Sequence, residues 1–580
     1  MADLLKVFRD IGEAYRDEAL QNYNQIDSKN IGAIAVVDVA DSNRVEIVDK
    51  EAWRNRLFLR VTSSNGGNLY PFFFYSSEKL KDALKKSFKN LKAHLKDKAQ
   101  RALSDTIEKV SDAEKIKELL APYENKENLY LALSYKGKSL YELFPETAEH
   151  YADEVCAAEI KKEGSSYFDE GVEIGYDAGL NFCSVNEMPA AMRKQVKYRL
   201  LPLGHEDACL VRQGFIRVFE AQMFRFSLFG LSYYLLPTLF LSDKRAFFDK
   251  LAIFAERDGG KVSGKSALER RLERWVARLE ETGFSQRVLF SFLFAHKQNS
   301  AIDLHHLIED VAPSRIAKGY GLMNRLRIEE GASRFYGAKA RQKDALYLRD
   351  YIEEGLLAAK LFFGKERIGS MQTLLGWIYR VIFYGDNREN LPRRELSKVL
   401  GGYYAEAVNF AAHQRFLDFL QVLGAVGFET NNYLHKEERM ESAASFSKIA
   451  QEKFETVELL RQKPRAREFY VLGALAKFVI AWQFWEKKSS TLEKYLDSIG
   501  SVSMQNADRV FRKIYEASRK YGMSGVEYDD LMALYAQIKE SLSRNDTVSL
   551  DAANIAFVMG GVDFKRYKEN KPEKEEKNDG

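Results

Sequence analysis

Phe215–Leu241 reads FIRVFEAQMFRFSLFGLSYYLLPTLFL and is the most apolar stretch of the chain. Its last sixteen residues, 226–241, carry no charge. A helix that crosses a bilayer needs about 20 apolar residues. This run is shorter, Pro237 lies inside it, and Arg217, Glu220 and Arg225 interrupt its flank. The stretch therefore reads as a buried helix ending near Tyr234 followed by a strand, at the centre of a large soluble core.

Length and composition bound what surrounds that core. A chain of 580 residues predicts two to four domains. With 46% hydrophobic and 13% aromatic residues it can fill large cores. The formal net charge of +4 is too small to mark the whole molecule as a nucleic-acid binder, so any such surface must be a local patch. Cys156, Cys183 and Cys209 form no Cys-x-x-Cys pair and no even-numbered disulfide framework, which fits a reduced cytoplasm. The opening MADLLKVFRDIGEAYRDEA has acidic residues and no apolar core of a signal peptide.

Outward from the centre toward the N-terminus, residues 2–25 predict an amphipathic helix, and Ile31–Val48 and Asn55–Ser63 have strand character. Residues 62–75, TSSNGGNLYPFFFY, predict a turn feeding an aromatic strand, with Asn65, Gly66, Gly67 and Asn68 at the turn. The bare Gly66-Gly67 backbone suits either a plain hairpin or a loop that approaches a nucleic acid closely. Residues 78–103 predict a single amphipathic helix. Leu80, Leu84, Phe88, Leu91 and Leu95 form one stripe, and Lys81, Lys85, Lys89, Lys92 and Lys96 form another. Between Lys79 and Arg101 nine Lys or Arg face two Asp, a local net of +7. Like charges at i,i+4 repel, and a phosphate backbone relieves that repulsion. Residues 128–135 predict a strand with Gly137 at its turn, and acidic helical sequence follows to Lys162. Arg193, Lys194, Lys197 and Arg199 make a second basic cluster.

After the central stretch the chain reads as almost entirely helical. The fold class is α+β, predominantly α. A body over 1–435 is mixed α/β to about 205 and mainly helical over 206–435, a helical bundle follows over 436–567, and a disordered tail spans 568–580. Residues 461–520 hold 13 Lys or Arg against 6 Asp or Glu. They include a basic loop with Arg465 and Arg467, and a helix with Arg509, Arg512, Lys513 and Lys520 on one side. This basic side suits a single-strand groove. Trp482, Phe484 and Trp485 lie between the clusters, and aromatics at such spacing are more often core than base-stacking platforms.

Catalytic chemistry finds little support. Residues 259–266, GGKVSGKS, fit the phosphate-binding loop letter for letter. That loop needs a buried strand before it, and residues 245–256, RAFFDKLAIFAE, have helical spacing instead. Asp303, His305, His306, Glu309 and Asp310 could suggest a metal centre, but on a helix adjacent histidines point about 100° apart. No catalytic residue, cofactor or metal site is nominated.

Several motifs carry a resemblance. Tyr198-Arg199-Leu200-Leu201-Pro202 and residues 228–237, LFGLSYYLLP, are joined by residues 289–294, LFSFLF, residues 308–315, IEDVAPSR, and residues 552–561, AANIAFVMGG. Together they resemble the large subunit of the type I-B CRISPR Cascade complex, the eighth Cas family in its B subtype. Some members carry a Cys-x-x-Cys near Cys183, whereas here the run is Cys183-Ser184-Val185-Asn186 and lacks the second cysteine of a zinc site.

The resemblance implies a non-enzymatic cytoplasmic subunit of a crRNA-guided surveillance complex. Its N-terminal part would recognise the protospacer-adjacent motif, and its C-terminal bundle would resemble the small subunit. Partners would be the crRNA-containing backbone subunits, double-stranded and displaced single-stranded target DNA, and a separate helicase–nuclease. A separately translated small subunit starting at Met440 is a further expectation. The residues assigned to DNA are Asn65, Gly66, Gly67 and Asn68 for the motif, and Lys81, Lys85, Lys89, Lys92, Arg193, Lys197, Arg465, Arg467, Arg512 and Lys513 for the backbone. Two other readings stay open, a phosphate-loop ATPase and a helical scaffold without a nucleic-acid role.

Overall fold

The computed structural model of the chain describes residues 2–16, 33–40, 44–48, 72–125, 129–144, 158–159, 164–168, 173–180, 197–220, 224–257, 271–298, 301–330, 346–383, 396–400, 408–434 and 445–570. These residues are predominantly helical, with small sheets. They divide into two compact units. The first takes in Met1–Phe226, Ser232–Ser263 and Leu279–Ala312, and the second Ser227–Leu231, Gly264–Arg278 and Pro313–Gly580. No helix among the described residues is long and apolar enough to cross a membrane.

In the first unit, β1 (Ala33–Asp38), β2 (Val45–Val48), β3 (Phe72–Phe74), β4 (Leu129–Tyr135) and β5 (Lys138–Ser139) make a sheet of order β2-β1-β4-β3, with β5 also on β4. β1 and β4 are parallel, so the chain must cross over between them. The crossover carries α2 (Leu80–His94), α3 (Lys98–Val110) and α4 (Ala113–Leu120), which follow α1 (Ala2–Ala14) in the chain. Ala35, Val37, Leu129, Leu131 and Leu133 on one sheet face pack in one core with Leu80, Leu84, Phe88 and Leu91 of α2 and with Ile107 and Ile116. Ile34, Val36, Tyr130 and Ala132, on the alternate positions, are buried too. Both faces are thus covered, as a parallel pair requires. The single helix expected over 78–103 is interrupted. Asp97 accepts a hydrogen bond from the Ala99 N–H and starts α3 afresh, while Arg101 Nε donates to the Leu95 carbonyl at 2.6 Å and caps the end of α2.

The central stretch corrects the expected helix-then-strand. Helix α5 (His205–Glu220) ends earlier, and β8 (Arg225–Leu228) and β9 (Leu231–Leu239) form a hairpin; β6 (Ala158–Glu159) and β7 (Tyr176–Asp177) are a small pair before it. Phe229 and Gly230 have φ of 49° and 79°, the double left-handed turn that suits a two-residue hairpin. Helix α6 (Lys244–Arg257) follows, then α7 (Arg271–Glu281). The region after the stretch is not almost entirely helical either. β10 (Val288–Gln298) and β11 (Ala301–Val311) complete a four-stranded sheet of order β11-β10-β9-β8. Pro237 pairs with Phe290 of β10. Short β8 does not reach it, so the missing N–H faces an open side. The β10–β11 register shifts between Phe290 and Phe292, and Asp310 opposite has φ of 53°, a bulge that turns the chain toward the next helix. Cys209 takes part in a disulfide.

The second unit contains α8 (Pro313–Leu326), the strand pair β12 (Ile328–Glu329) and β13 (Leu346–Tyr347), α9 (Gly355–Phe363), α10 (Met371–Phe383), α11 (Leu396–Leu400) and α12 (Phe410–Leu423). Arg315 in α8 donates to the carbonyls of Phe362 and Leu361 at 3.0 and 3.3 Å and of Leu423 at 2.6 Å. One guanidinium thus satisfies the C-terminal ends of α9 and α12. The remaining helices are α13 (Phe446–Thr456), α14 (Glu458–Gln462), α15 (Pro464–Lys487), α16 (Thr491–Ile499), α17 (Ala507–Lys520), α18 (Val526–Ser541) and α19 (Leu550–Asn570). Residues 568–570, expected in a disordered tail, close α19. Residues 571–580 and Met440 lie outside the described residues. The basic loop expected over 461–467 is the junction of α14 and α15, where Pro464 takes the first helical position.

α15 is buried along most of its length and crosses α19 backbone to backbone. A Cβ on Gly473 would lie 1.8 Å from the Phe557 carbonyl oxygen, and one on Gly560 would lie 1.8 Å from that of Tyr470. The first unit repeats the device at α1 and α5, where Gly12 meets the Leu210 carbonyl and Gly214 meets that of Phe8. We expect Gly473→Ala or Gly560→Ala to destabilise the protein by about 1–3 kcal/mol or more, because the helices must separate. Gly321→Ala, on an exposed face of α8 with nothing within 4 Å, should instead stabilise by roughly 0.5–1 kcal/mol. Chemical denaturation of the three variants checks both signs.

Candidate nucleic-acid interface

Helix α2 buries Leu80, Leu84, Phe88 and Leu91 and leaves Lys81, Lys85, Lys86 and Lys89 exposed. Lys81, Lys85 and Lys89 recur every fourth residue and form no ion pair among the described residues. Lys92 continues the row in sequence but not in role. Its ammonium sits between Asp105, at 2.5 Å, and Glu108 of α3. Burial lowers the affinity of Lys92 for its proton, and the hydrogen bonds to the two carboxylates outweigh that and raise its pKa. The hydrogen bond from Lys92 in turn holds the Asp105 carboxyl below its ordinary range. Lys92 thus ties α2 to α3, and the unneutralised row ends at Lys89.

Lys197 is also spent on the fold. It is 5% exposed, pairs with Asp177 at 2.9 Å and donates to the Leu180 carbonyl at 2.5 Å. A buried charge already neutralised cannot leave these partners without cost. Asn65, Gly66, Gly67, Asn68 and Arg193 lie outside the described residues.

In the second unit, Glu468 of α15 is fully buried. Lys539 donates to its Oε1 at 2.6 Å and to Asp508 at 2.8 Å, and the Tyr535 hydroxyl donates to the same Oε1 at 3.4 Å. Arg465 Nε stands 3.0 Å from Oε2 without hydrogen-bond alignment, so that contact is Coulombic. Arg467 donates to the Leu460 carbonyl at 2.7 Å and lies over the Phe454 ring. Arg465 neutralises a core carboxylate and Arg467 caps α14, so neither is a free surface cation. Lys513 is exposed and pairs with Glu516 at 2.7 Å. Arg509, Arg512, Arg519 and Lys520 of α17 are exposed, and Arg519 stacks over Tyr515 at 6.0 Å. Arg519 was not among the residues chosen from the sequence. Its position seven residues beyond Arg512 puts it on the same helical face, which was the available signal.

The two other candidate chemistries look different in place. His305 and His306 lie on strand β11, not on a helix, at a register shift where His306 pairs with Phe294 and Leu304 with Ala295. Asp303 and His305 approach to 3.9 Å, and no group of three metal-ligating side chains occurs among the described residues. Residues 259–266 lie outside the described residues, and the element before them is helix α6.

Comparison with known families bears on one part of the chain. Residues 191–311 match the central domain of CRISPR-associated protein TM1802. The match supports a CRISPR-associated role. It spans α5, the β8–β9 hairpin, α6, α7, β10 and β11, and stops at Val311, one residue before the first unit ends at Ala312. The motifs at 198–202, 228–237 and 289–294 fall inside it, and the one at 552–561 falls outside. No curated protein matches the chain.

The charge network makes a pH prediction. Asp508 is held below its ordinary pKa, first by the hydrogen bond from Lys539. A depressed carboxyl contributes stability above its unfolded pKa and loses it as pH falls through the folded value. Thermal melting against pH should therefore show a shallower acid limb for Lys539→Met than for wild type. Arg465→Met combined with Lys539→Met should cost about 3–5 kcal/mol at neutral pH by stranding Glu468.

Proposed function

We propose that the chain is the non-catalytic large subunit of a type I-B CRISPR Cascade complex. It recognises the protospacer-adjacent motif, binds target DNA in crRNA-guided antiviral defence, and leaves cleavage to a separate helicase–nuclease that it recruits. What carries the reading is the match of residues 191–311 to a CRISPR-associated domain, taken with the unneutralised lysine row of α2. In guided systems base pairing reads most of the sequence, and the protein reads only a short motif and the backbone. A low net charge with dense local cation rows suits that division of labour.

In this proposal Asn65, Gly66, Gly67 and Asn68 read the motif. Lys81, Lys85 and Lys89 hold duplex phosphates, and Arg512 with its neighbours on α17 holds backbone in the path of the DNA strands. Lys92, Lys197, Arg465 and Arg467 leave the binding set for the structural reasons above. The subunit works in the cytoplasm with crRNA-containing backbone subunits and carries no cofactor. A separately translated small subunit from Met440 would repeat the helices α13 to α19. In the full chain α10 and α11 pack on α19, and Leu400 fills the space beside Gly561. A fragment beginning at residue 440 lacks those partners. It should fold cooperatively but melt below a fragment that begins at residue 313; a disordered 440–580 fragment would contradict the small-subunit role.

The test of DNA binding is the salt dependence of duplex affinity. Each phosphate contact contributes about 0.9 to the log–log slope, so Lys81→Gln, Lys85→Gln and Lys89→Gln together should lower it by about 2.7 for every DNA sequence alike. Lys92→Gln should lower the melting temperature and leave the slope unchanged. An unchanged slope in the triple variant would assign the lysine row to solvent and refute this interface.

A further inference from the structure

The C-terminal end of α15 exposes large aromatic rings in a globular helix bundle. Trp485 is 78% exposed and Phe484 is 41% exposed. The sequence reading favoured the core for both, and the structure places neither there. Large aromatic surface left in water is unfavourable, and a contiguous exposed patch usually marks a binding surface. Trp482 stands edge-on to Trp485, with ring centroids 6.0 Å apart, and so braces it from behind.

Cations follow these rings in the chain and lie over Tyr521 and Tyr515 nearby. Lys487 and Lys488 follow in the chain, and Lys488 ends the helix in the left-handed conformation. The ends of α15 and α17 meet at Tyr521, whose ring lies 5.4 Å from the Lys487 ammonium and 5.9 Å from that of Lys520. Six residues back from Tyr521, Tyr515 is exposed beneath Arg519. Glu486 is the acidic residue in this stretch, and Glu516 is already paired with Lys513.

We propose that Trp485 and Phe484 form a stacking platform for the bases of single-stranded nucleic acid, with Lys487, Lys488, Arg519 and Lys520 holding its backbone. The proposal rests on the DNA-binding reading above and adds the aromatic residues that would stack on the bases of a single strand. Charge complementarity chooses the occupant, since exposed rings interleaved with cations match a polyanion whose bases are free to stack. In a duplex the bases stack on one another, so their faces are closed to Trp485. Stacking reads no sequence, because every base has an aromatic face.

The test uses the full chain, a labelled oligothymidylate and a labelled duplex of equal length, followed by fluorescence anisotropy across a salt series. Trp485→Leu, which keeps apolar bulk but no aromatic face, should weaken oligothymidylate binding about tenfold, within the range of one lost stacking contact. Its duplex affinity and its salt slope should stay at wild-type values. Trp485→Phe should retain most of the single-strand affinity. If Trp485→Leu binds oligothymidylate as wild type does while both bind duplex, the platform is refuted and the patch faces a protein partner. If wild type binds neither probe, the DNA-binding reading falls, and the platform falls with it.

Discussion

The second unit depends on how closely α15 and α19 can approach. Gly473 and Gly560 each face a carbonyl oxygen of the other helix at a distance that admits no Cβ. That approach lets α15 be apolar on nearly every side, as a helix at the centre of a bundle must be. The polar groups around it are then obliged to find partners. The Tyr470 hydroxyl donates to Asp563 at 2.9 Å, and Asn554 of α19 exchanges two hydrogen bonds of 2.8 Å with the backbone of Val502. Glu468 holds Lys539 and Arg465 in the same way. The helical core fixes which cations are available to anything else.

That dependence explains what the sequence could and could not disclose. The apolar stripe of α2, strand β4 and the α17 helix follow from periodicity and stand where expected. The β8–β11 sheet was hidden. Residues 226–241 and 288–294 are continuous apolar runs, in which the two-residue and the 3.6-residue periods cannot be told apart. The hairpin signal was hidden too, because the turn is Phe229-Gly230 and not Asn-Gly. Arg349 holds the strained Phe229 by donating to its carbonyl at 2.6 Å, across 120 residues of sequence.

The candidate interface was legible only as a census of charge. Lys89 and Lys92 look alike in sequence. Asp105 and Glu108 decide between them from the neighbouring helix. Arg465 and Arg512 likewise differ only because Glu468 is buried beside the first. Motifs that resemble a Cas family gain a physical reading from the fold. Residues 308–315 build a bulge and the Arg315 clamp on two helix ends, and residues 552–561 build the α15–α19 crossing. Such residues specify the scaffold, while the surface cations carry the proposed binding.

Photo-crosslinking in the assembled guide-RNA complex would show whether this chain meets target DNA through α2 and α17. Target DNA bearing a photoreactive group would be irradiated with the complex, and the attached peptides identified by mass spectrometry. Guide-dependent crosslinks are expected in peptides containing Lys81–Lys89 and Arg509–Lys520. Crosslinks confined to other segments, or equal in number with a mismatched guide, would contradict that contact.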